Sequence, residues 1–334
     1  MTAETDLDDR RSEVASVLEP ELPIIDPHHH LWMKHDTGYL IPQFQKDLAQ
    51  GHNVTATVYI ECGAMYRRTG PEALCSVGEA EFVAGMAAMS NSGHYGEAQI
   101  CAGFVGAADL SLGAEVEDVI QALDIASGGR LRGVRVGAIW DADPNVNTGT
   151  RPFAPKGLLL DSRFRAGFQR LSEMNLVYDA WQYYPQLMDV CDLADAFPSS
   201  IIVVNHCGGL LGIGPYAQPD NFTRWKSFIV ELSRRHNVLM KLGGLAPARC
   251  GFRYGDRLQP PTAEELAADW RPYIETCIEF FGDDRCMFES NFPVDRVAGS
   301  YSTIWNAFKL ITKHYSQTEK ANLYSQTAKR TYNV

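Results

Sequence analysis

The chain has 334 residues, 45% of them apolar and 21% charged, with a formal net charge of −11. This composition is typical of a folded globular protein with a large core, and the negative charge argues against binding to nucleic acid or to an anionic membrane surface. We therefore expect a small-molecule partner, with a homo-oligomer left open. Residues 1–20 resemble no secretory signal, and no apolar run reaches the roughly 20 residues that span a bilayer, which predicts a cytoplasmic protein.

Short apolar segments of strand length alternate with longer segments of helical spacing. Strands are predicted at residues 22–26, 54–61, 99–106, 131–137, 176–180, 201–206, 238–243 and 285–289. Helices are predicted at residues 75–90, 113–126, 164–173, 186–196, 225–235, 262–281, 301–314 and 318–330. This alternation indicates parallel strands with crossover helices. We predict an α/β fold, a single (β/α)8 TIM barrel over residues 22–334 behind an acidic extension at residues 1–21. A doubly wound open sheet is the alternative.

Three predicted connections are long for a barrel: residues 31–53, 139–160 and 246–261. Loops that follow the strands of such a barrel stand over its active site. They are therefore candidates for a substrate cover, and plain surface insertion is the alternative.

The most specific local motif is the run Asp26-Pro27-His28-His29-His30, which follows the first predicted strand directly. Side chains two apart on an extended chain point the same way, so His28 and His30 can converge while His29 faces elsewhere. Two converging imidazoles can hold a divalent metal or a substrate carbonyl. A histidine-rich surface turn is the alternative.

Ionisable or polar residues recur at the carboxyl ends of the other predicted strands. Such groups are costly inside a barrel unless they meet a partner, a ligand or a metal. His206, which follows a fully apolar strand, would complete a cluster of three imidazoles; alone, it would read as a core histidine. These strand-end residues are Glu61, Arg135, Asp179, His206, Lys241 and Asn291.

Cations and aromatic residues of the same region are candidates for substrate binding. Arg135 and Lys241 suggest an anion, either a substrate carboxylate or an oxyanion, and ion pairs with Glu61 or Asp179 are the structural alternative. Four aromatic side chains can stack on a ring, although packing is the commoner role of such residues. They are Trp32, Tyr39, Trp140 and Trp181.

Over residues 23–332 the chain resembles the amidohydrolase-related proteins, in the group with sugar lactonases and the pyrone-dicarboxylate and muconolactone hydrolases. The resemblance implies a barrel hydrolase with His28, His30 and His206 in the site. It implies a divalent metal, zinc or manganese, on these histidines, while some relatives of this type work without one. The motifs are Ile25-Asp26-Pro27-His28-His29-His30-Leu31-Trp32, Arg132-Gly133-Val134-Arg135, Asn205-His206-Cys207-Gly208-Gly209, Lys241-Leu242-Gly243-Gly244 and Phe288-Glu289-Ser290-Asn291-Phe292-Pro293-Val294-Asp295.

One position departs from the family pattern. Most relatives have an aspartate where this chain has Asn291, and an amide cannot act as an anionic ligand or a general base. Four carboxylates can replace it, and the sequence does not rank them: Asp295, Glu289, Glu61 and Asp179.

The leading hypothesis is hydrolysis of a small carboxylated or hydroxylated lactone by activated water. His28, His30 and the cations would stabilise the oxyanion, and His206 would transfer the proton. The first alternative is a metal-dependent, non-oxidative decarboxylase or hydratase that acts on an aromatic-derived acid. The second is a barrel that binds a ligand without catalysis.

Overall fold

A computed structural model describes residues 16–34, 37–149 and 151–334. Its main sheet has eight parallel strands, and their order in the sheet is their order in the chain. The predicted (β/α)8 barrel is confirmed, and the doubly wound sheet is wrong because that fold would reorder the strands. The strands are β1 (Ile24–His29), β2 (Val54–Ile60), β3 (Gln99–Gly106), β4 (Leu131–Gly137), β5 (Val177–Trp181), β6 (Ile202–Val204), β7 (Val238–Leu242) and β8 (Cys286–Phe288).

Backbone hydrogen bonds between β1 and the segment after β8 close the barrel. The His30 N–H donates to the Phe292 carbonyl oxygen at 2.8 Å, and the Asn291 N–H donates to the His28 carbonyl oxygen at 2.9 Å. Closure therefore brings the histidine motif of β1 beside the segment that follows β8.

A helix follows each barrel strand and packs on the outside of the sheet. Residues 41–48, predicted as loop, form the first helix, which buries Ile41, Phe44 and Leu48 and has Pro42 in its first turn, where a missing N–H is tolerated. The helices are α1 (Ile41–Leu48), α2 (Val77–Asn91), α3 (Val116–Ala126), α4 (Ser162–Glu173), α5 (Leu187–Ala196), α6 (Asn221–Ser233), α7 (Ala263–Phe281) and α8 (Tyr301–Ile311).

The segment after α8 packs against the barrel strands at the lower end of the barrel, which is the end opposite the polar strand-end residues. The predicted helix at residues 318–330 is three consecutive pieces, Gln317–Ala321, a π-helical turn Asn322–Gln326, and Thr327–Tyr332. Ala328 and Tyr332 from the last piece pack with apolar residues of several barrel strands, among them Ile25, Val105 and Val203. The lower barrel is therefore an apolar core, and the polar strand-end residues lie above it.

The predicted N-terminal extension lies mostly outside the described residues, because residues 1–15 are not described. Of the remainder, Glu19 accepts hydrogen bonds from Lys320. Within the described residues, no helix combines the length and the apolarity needed to cross a membrane.

Candidate active site

The centre of the site consists of two imidazoles on one carboxylate. Glu289, directly after β8, is fully buried. Its Oε1 accepts a hydrogen bond from the His206 backbone N–H at 3.0 Å and lies 2.7 Å from Nδ1 of His206. Its Oε2 lies 2.7 Å from Nδ1 of His28, although without hydrogen-bond alignment. The rings of His28 and His206 are 4.7 Å apart between centroids. Of the four carboxylates left open by the sequence, Glu289 is the one placed against both imidazoles.

Local backbone geometry makes this close approach possible. His206 and Asn291 adopt positive φ angles of 57° and 51°, which are uncommon for residues with a side chain and typical of functional sites. Gly243 and Gly244 follow β7, beside the centre. A Cβ atom at Gly244 would overlap the ring of His206, and one at Gly243 would overlap Glu289. The two glycines are therefore required for the imidazole and carboxylate to meet.

Hydrogen bonds fix which ring nitrogens carry protons. Nδ1 of His30 donates to the Ile60 carbonyl oxygen at 2.8 Å. Nδ1 of His206 lies 2.7 Å from Oε1 of Glu289 and donates to it when the carboxylate is ionised. Burial lowers the pKa of His206 well below its usual value, with Arg249 adding to the effect; burial and then Arg135 do the same for His30. Both rings are therefore neutral. Nε2 of His30 is unprotonated, and so is Nε2 of His206 when Glu289 is ionised.

His28 and His29 have different surroundings, as their alternation in the strand predicts. Nε2 of His28 accepts a hydrogen bond from Nη1 of Arg135 at 3.3 Å, and burial, followed by Lys241, lowers its pKa. His29 points outward, where it stacks on Phe44 and its Nε2 lies 2.9 Å from the Thr57 hydroxyl. His28 therefore belongs to the site, and His29 belongs to the core.

Two arginines share one carboxylate at the end of β2. Nε of Arg135 donates to Oε1 of Glu61 at 2.8 Å, and Arg151 contacts both Glu61 oxygens, at 3.0 and 2.8 Å. Burial alone would raise the pKa of Glu61, but the two guanidinium groups hold it at about 2. Glu61 is a permanent anion that fixes Arg135 beside His28.

A second ion pair lies deeper in the barrel. Nζ of Lys241 donates to Oδ2 of Asp179 at 2.6 Å, and the Tyr332 hydroxyl donates to Oδ1 at 2.6 Å. Asn205 donates to the same carboxylate at 3.0 Å. Lys241 is fully buried, and its Nζ is 3.5 Å from Nδ1 of His28. The ion pairs considered for Arg135 and Lys241 are thus both present, directly beneath the imidazoles.

Asn291 and Asp295 form a separate pair at the edge of the site. Nδ2 of Asn291 donates to Oδ1 of Asp295 at 2.7 Å. Burial raises the pKa of Asp295 to about 7, although the hydrogen bond from Asn291 opposes this effect. Asn291 borders the cavity described next, whereas Asp295 lies behind it.

A cavity of about 600 Å³ opens above the imidazoles. Trp32 and Trp181 border it, whereas Tyr39 and Trp140 do not. The Tyr39 hydroxyl is bonded to Asp47, and Trp140 borders a neighbouring cavity. The loop at residues 139–160 supplies much of the wall. Ionisable and polar groups on the wall are His30, Asp109, Ser111, Arg135, Asn147, Thr148, Arg151, Tyr183, His206, Arg249 and Asn291.

The central residues have the chemistry of a metal site. Ligand atoms from His28, His206 and Glu289 all lie within 4.8 Å of one another, and this is the one such group of three found in the described part of the chain. Oε2 of Glu289 is buried without a hydrogen-bond partner. Two imidazoles and a carboxylate are a donor set that zinc takes in catalytic sites. The residues His28, His206 and Glu289 therefore fit a divalent ion, and a ligand role for His30 stays a prediction.

Comparison with known proteins places the chain in a family. A family model described as Amidohydrolase matches residues 25–334. The chain belongs to the amidohydrolase family. The membership predicted from the motifs is thus confirmed, and the protein is a hydrolase of this superfamily or a related enzyme.

Two amidohydrolase relatives match by sequence. The uncharacterized protein y4mH of Sinorhizobium fredii is 29% identical over 336 residues, which cover 94% of this chain and 99% of that protein. The L-fucono-1,5-lactonase of Burkholderia multivorans is 29% identical over 178 residues, which cover 52% of this chain and 56% of the lactonase.

Solved structures match the amidohydrolase barrel over nearly its whole length. An amidohydrolase from Burkholderia multivorans with bound zinc has a TM-score of 0.70 at 23% identity, covering 93% of this chain and 99% of that one. The 5-carboxyvanillate decarboxylase of Novosphingobium aromaticivorans, complexed with manganese, has a TM-score of 0.58 at 12% identity, covering 95% and 97%. At these identities the likeness shows the shared fold.

Proposed function

We propose that this amidohydrolase hydrolyses a small lactone with carboxylate or hydroxyl substituents. The observation that supports this most directly is the imidazole of His206, which borders the cavity and whose Nδ1 lies 2.7 Å from the Glu289 carboxylate. A neutral imidazole backed by a carboxylate is a suitable general base for water. The cavity of about 600 Å³ has the size of a small-molecule site.

The proposed reaction begins with a proton transfer from water to Nε2 of His206. The water oxygen attacks the lactone carbonyl carbon, and the guanidinium of Arg135 stabilises the negative charge that develops on the carbonyl oxygen. Nε2 of His30 is an acceptor, so its role is to orient the water or a substrate hydroxyl, not to stabilise the oxyanion. The ring C–O bond then breaks, and the ring oxygen takes the proton from His206. The product is a hydroxy acid, which releases one proton at neutral pH.

A divalent metal is compatible with this site. His28, His206 and Glu289 would hold it, and the ion would supply a Lewis acid that polarises the carbonyl. A ring nitrogen of His206 that bound the ion would not be available to take a proton, so His206 would then hold the ion and would not act as the base. The metal content of the protein, measured by plasma mass spectrometry after purification without chelator, therefore assigns the role of His206.

The first test is turnover of a panel of five- and six-membered lactones, followed by proton release with a pH indicator. We expect His206→Ala to reduce kcat/KM by about 10³-fold, since general-base catalysis contributes 10²–10⁴-fold. His236→Ala changes an exposed histidine and serves as the matched control. Turnover that survives His206→Ala would refute the mechanism.

A second candidate, metal-dependent decarboxylation, is favoured by the metal-compatible group of His28, His206 and Glu289. It predicts about one equivalent of metal per chain and release of carbon dioxide from an aromatic acid. Lactone opening releases a proton and no carbon dioxide, so the two assays separate the candidates. Tight ligand binding without turnover in either assay would support the non-catalytic alternative.

We also propose that the partner of this protein is a small molecule. The net charge of −11 and the cavity above the imidazoles support this proposal over binding to nucleic acid or to a membrane surface. A cytoplasmic location and a homo-oligomer stay predictions from the sequence.

A further inference from the structure

Arg249 is a buried guanidinium on the wall of the cavity. It lies in the turn Ala248–Cys250 that follows β7, and only 9% of its surface is exposed. Its one direct hydrogen bond to a described residue is long, 3.4 Å from Nη2 to the Gly244 carbonyl oxygen. Its Nε is buried and has no hydrogen-bond partner. Most of its donor capacity is therefore unused.

The neighbouring cations have ion-pair partners, whereas the guanidinium of Arg249 acts on Asp295 from beyond ion-pair distance, where it opposes the burial that raises the pKa of Asp295. Arg135 and Arg151 share Glu61, and Lys241 is paired with Asp179. Within the described residues, no carboxylate lies within ion-pair distance of Arg249. A buried, unpaired charge is costly, and such a residue is retained where a ligand supplies the missing charge.

Trp181 fixes this guanidinium relative to the proposed base. The guanidinium carbon of Arg249 lies 4.8 Å from the centroid of the Trp181 ring. The same ring packs edge-on against His206, at 4.8 Å between centroids and 75° between planes. Trp181 therefore contacts both Arg249 and His206, and an anion bound to Arg249 would be held close to His206.

We propose that Arg249 binds a carboxylate on the substrate, so that the lactone is a ring acid and not a neutral sugar lactone. The two Nη groups of a guanidinium form a fork that donates hydrogen bonds to the two oxygens of a carboxylate. The substrate carboxylate supplies the negative charge that pairs with Arg249. The carbonyl of the lactone ring then faces His206 and Arg135. This assignment rests on the proposed lactone hydrolysis, but binding can be tested without turnover.

The test compares cyclic ether acids, which resemble lactones but cannot be hydrolysed. Tetrahydrofuran-2-carboxylate and tetrahydropyran-2,6-dicarboxylate are each paired with the corresponding carboxamide, and dissociation constants are measured by calorimetry. We expect the wild-type protein to bind at least one carboxylate about tenfold or more tightly than its amide, as charged hydrogen bonds of this kind contribute. Arg249→Met should reduce the ratio to about one, and Arg249→Lys should retain part of it.

Arg253→Met is the matched control, because Arg253 lies in the same loop, is exposed and pairs with Asp256. It should leave the ratio unchanged. Absence of a carboxylate preference in the wild-type protein, or the same preference in Arg249→Met, would overturn the assignment. If Arg249→Met unfolds, the ratio of amide to carboxylate dissociation constants in the wild-type protein and in Arg249→Lys still tests the assignment.

Activity assays distinguish a failure of the Arg249 assignment from a failure of the proposed lactone hydrolysis. Carboxylate binding through Arg249 with no hydrolysis of any lactone would leave the anion site in place and refute the lactonase. Hydrolysis of a carboxylated lactone at an unchanged kcat/KM in Arg249→Met would leave the lactonase in place and refute the anion site.

Discussion

Glu61 and Glu289 occupy matching places in the barrel and have opposite acidities. Both carboxylates are buried at the carboxyl end of a strand, with exposures of 1% and 0%. Burial raises the pKa of Glu289 to about 8, with Lys241 opposing the shift, whereas two guanidinium groups hold the pKa of Glu61 at about 2. The partners differ, because Glu289 contacts neutral imidazoles and Glu61 contacts permanent cations.

Burial alone does not determine whether a carboxylate stays ionised at neutral pH. A carboxylate between two arginines stays ionised and acts as a fixed support, here for Arg135. A carboxylate between two imidazoles changes its charge within a useful pH range, so it can share a proton with His206 or bind a metal. The same residue type therefore serves as a support at one strand end and as a reacting group at another.

The largest effect should come from Glu289→Gln. An amide offers one acceptor oxygen, and its NH2 group would face an imidazole N–H, so the His206 ring loses its orientation. We expect kcat/KM to fall by about 10³-fold with the fold retained, as measured by steady-state kinetics and circular dichroism.

Glu79→Gln is the matched control for that variant. Glu79 is equally buried, and burial also raises its pKa, to about 7, but it bonds Tyr59 and two backbone N–H groups away from the imidazoles. An equal loss of activity in Glu289→Gln and Glu79→Gln would contradict a specific role of Glu289 in orienting His206.

An intermediate effect is expected from Glu61→Gln, which leaves Arg135 without its counter-ion. Removal of one partner from a buried ion pair costs about 3–5 kcal/mol, and the lower end is expected because Arg151 is half-exposed. Urea unfolding measures the loss. A change below about 1 kcal/mol would show that Glu61 is not the support described above.

The smallest effect is a difference in the pH dependence of stability. The pKa of Glu289 is raised on folding, so its contribution to the free energy of unfolding falls as the pH rises from about 4.5 to about 8. The pKa of Glu61 is lowered, so its contribution is present above about 4.5 and is lost as the pH falls toward 2. Each group changes the slope by about 1 kcal/mol per pH unit in its own window.

Urea unfolding from about pH 2.5 to pH 8 tests these slopes. Relative to wild type, Glu289→Gln should gain stability as the pH rises across this range. The deficit of Glu61→Gln should shrink as the pH is lowered below 4.5. Parallel curves for both variants would contradict the assigned acidities.

The fold was predictable because local signals agreed with the global pattern. The helix predicted at 262–281 is observed from Ala263 to Phe281, since Thr262 caps it through a side-chain bond to the Glu265 N–H. Residues 41–48 were missed because a short amphipathic helix inside a long polar loop has too few turns to show its period. The break of the last helix into three pieces depends on packing against the barrel floor, which no local signal reports.

The site was predictable only in part. The alternation of side chains in β1 separates His28 and His30 from His29. The choice of Glu289 over the other carboxylates depends on barrel closure and on positive φ at Asn291 and His206, which are properties of the assembled barrel. Arg249 and Arg151 lie in loops, where nothing in the sequence distinguishes a cavity residue from a surface one.

Gly243 and Gly244 set a limit on how this barrel can be re-engineered. Substrate preference in such a scaffold is most easily changed by exchange of the loops above the strands, and residues 246–261 are the obvious segment for a graft. A graft that begins two or three residues early would introduce a side chain into the space filled by His206 and Glu289. Loop libraries for this protein should therefore begin after Gly244, with the glycine pair kept as part of the scaffold.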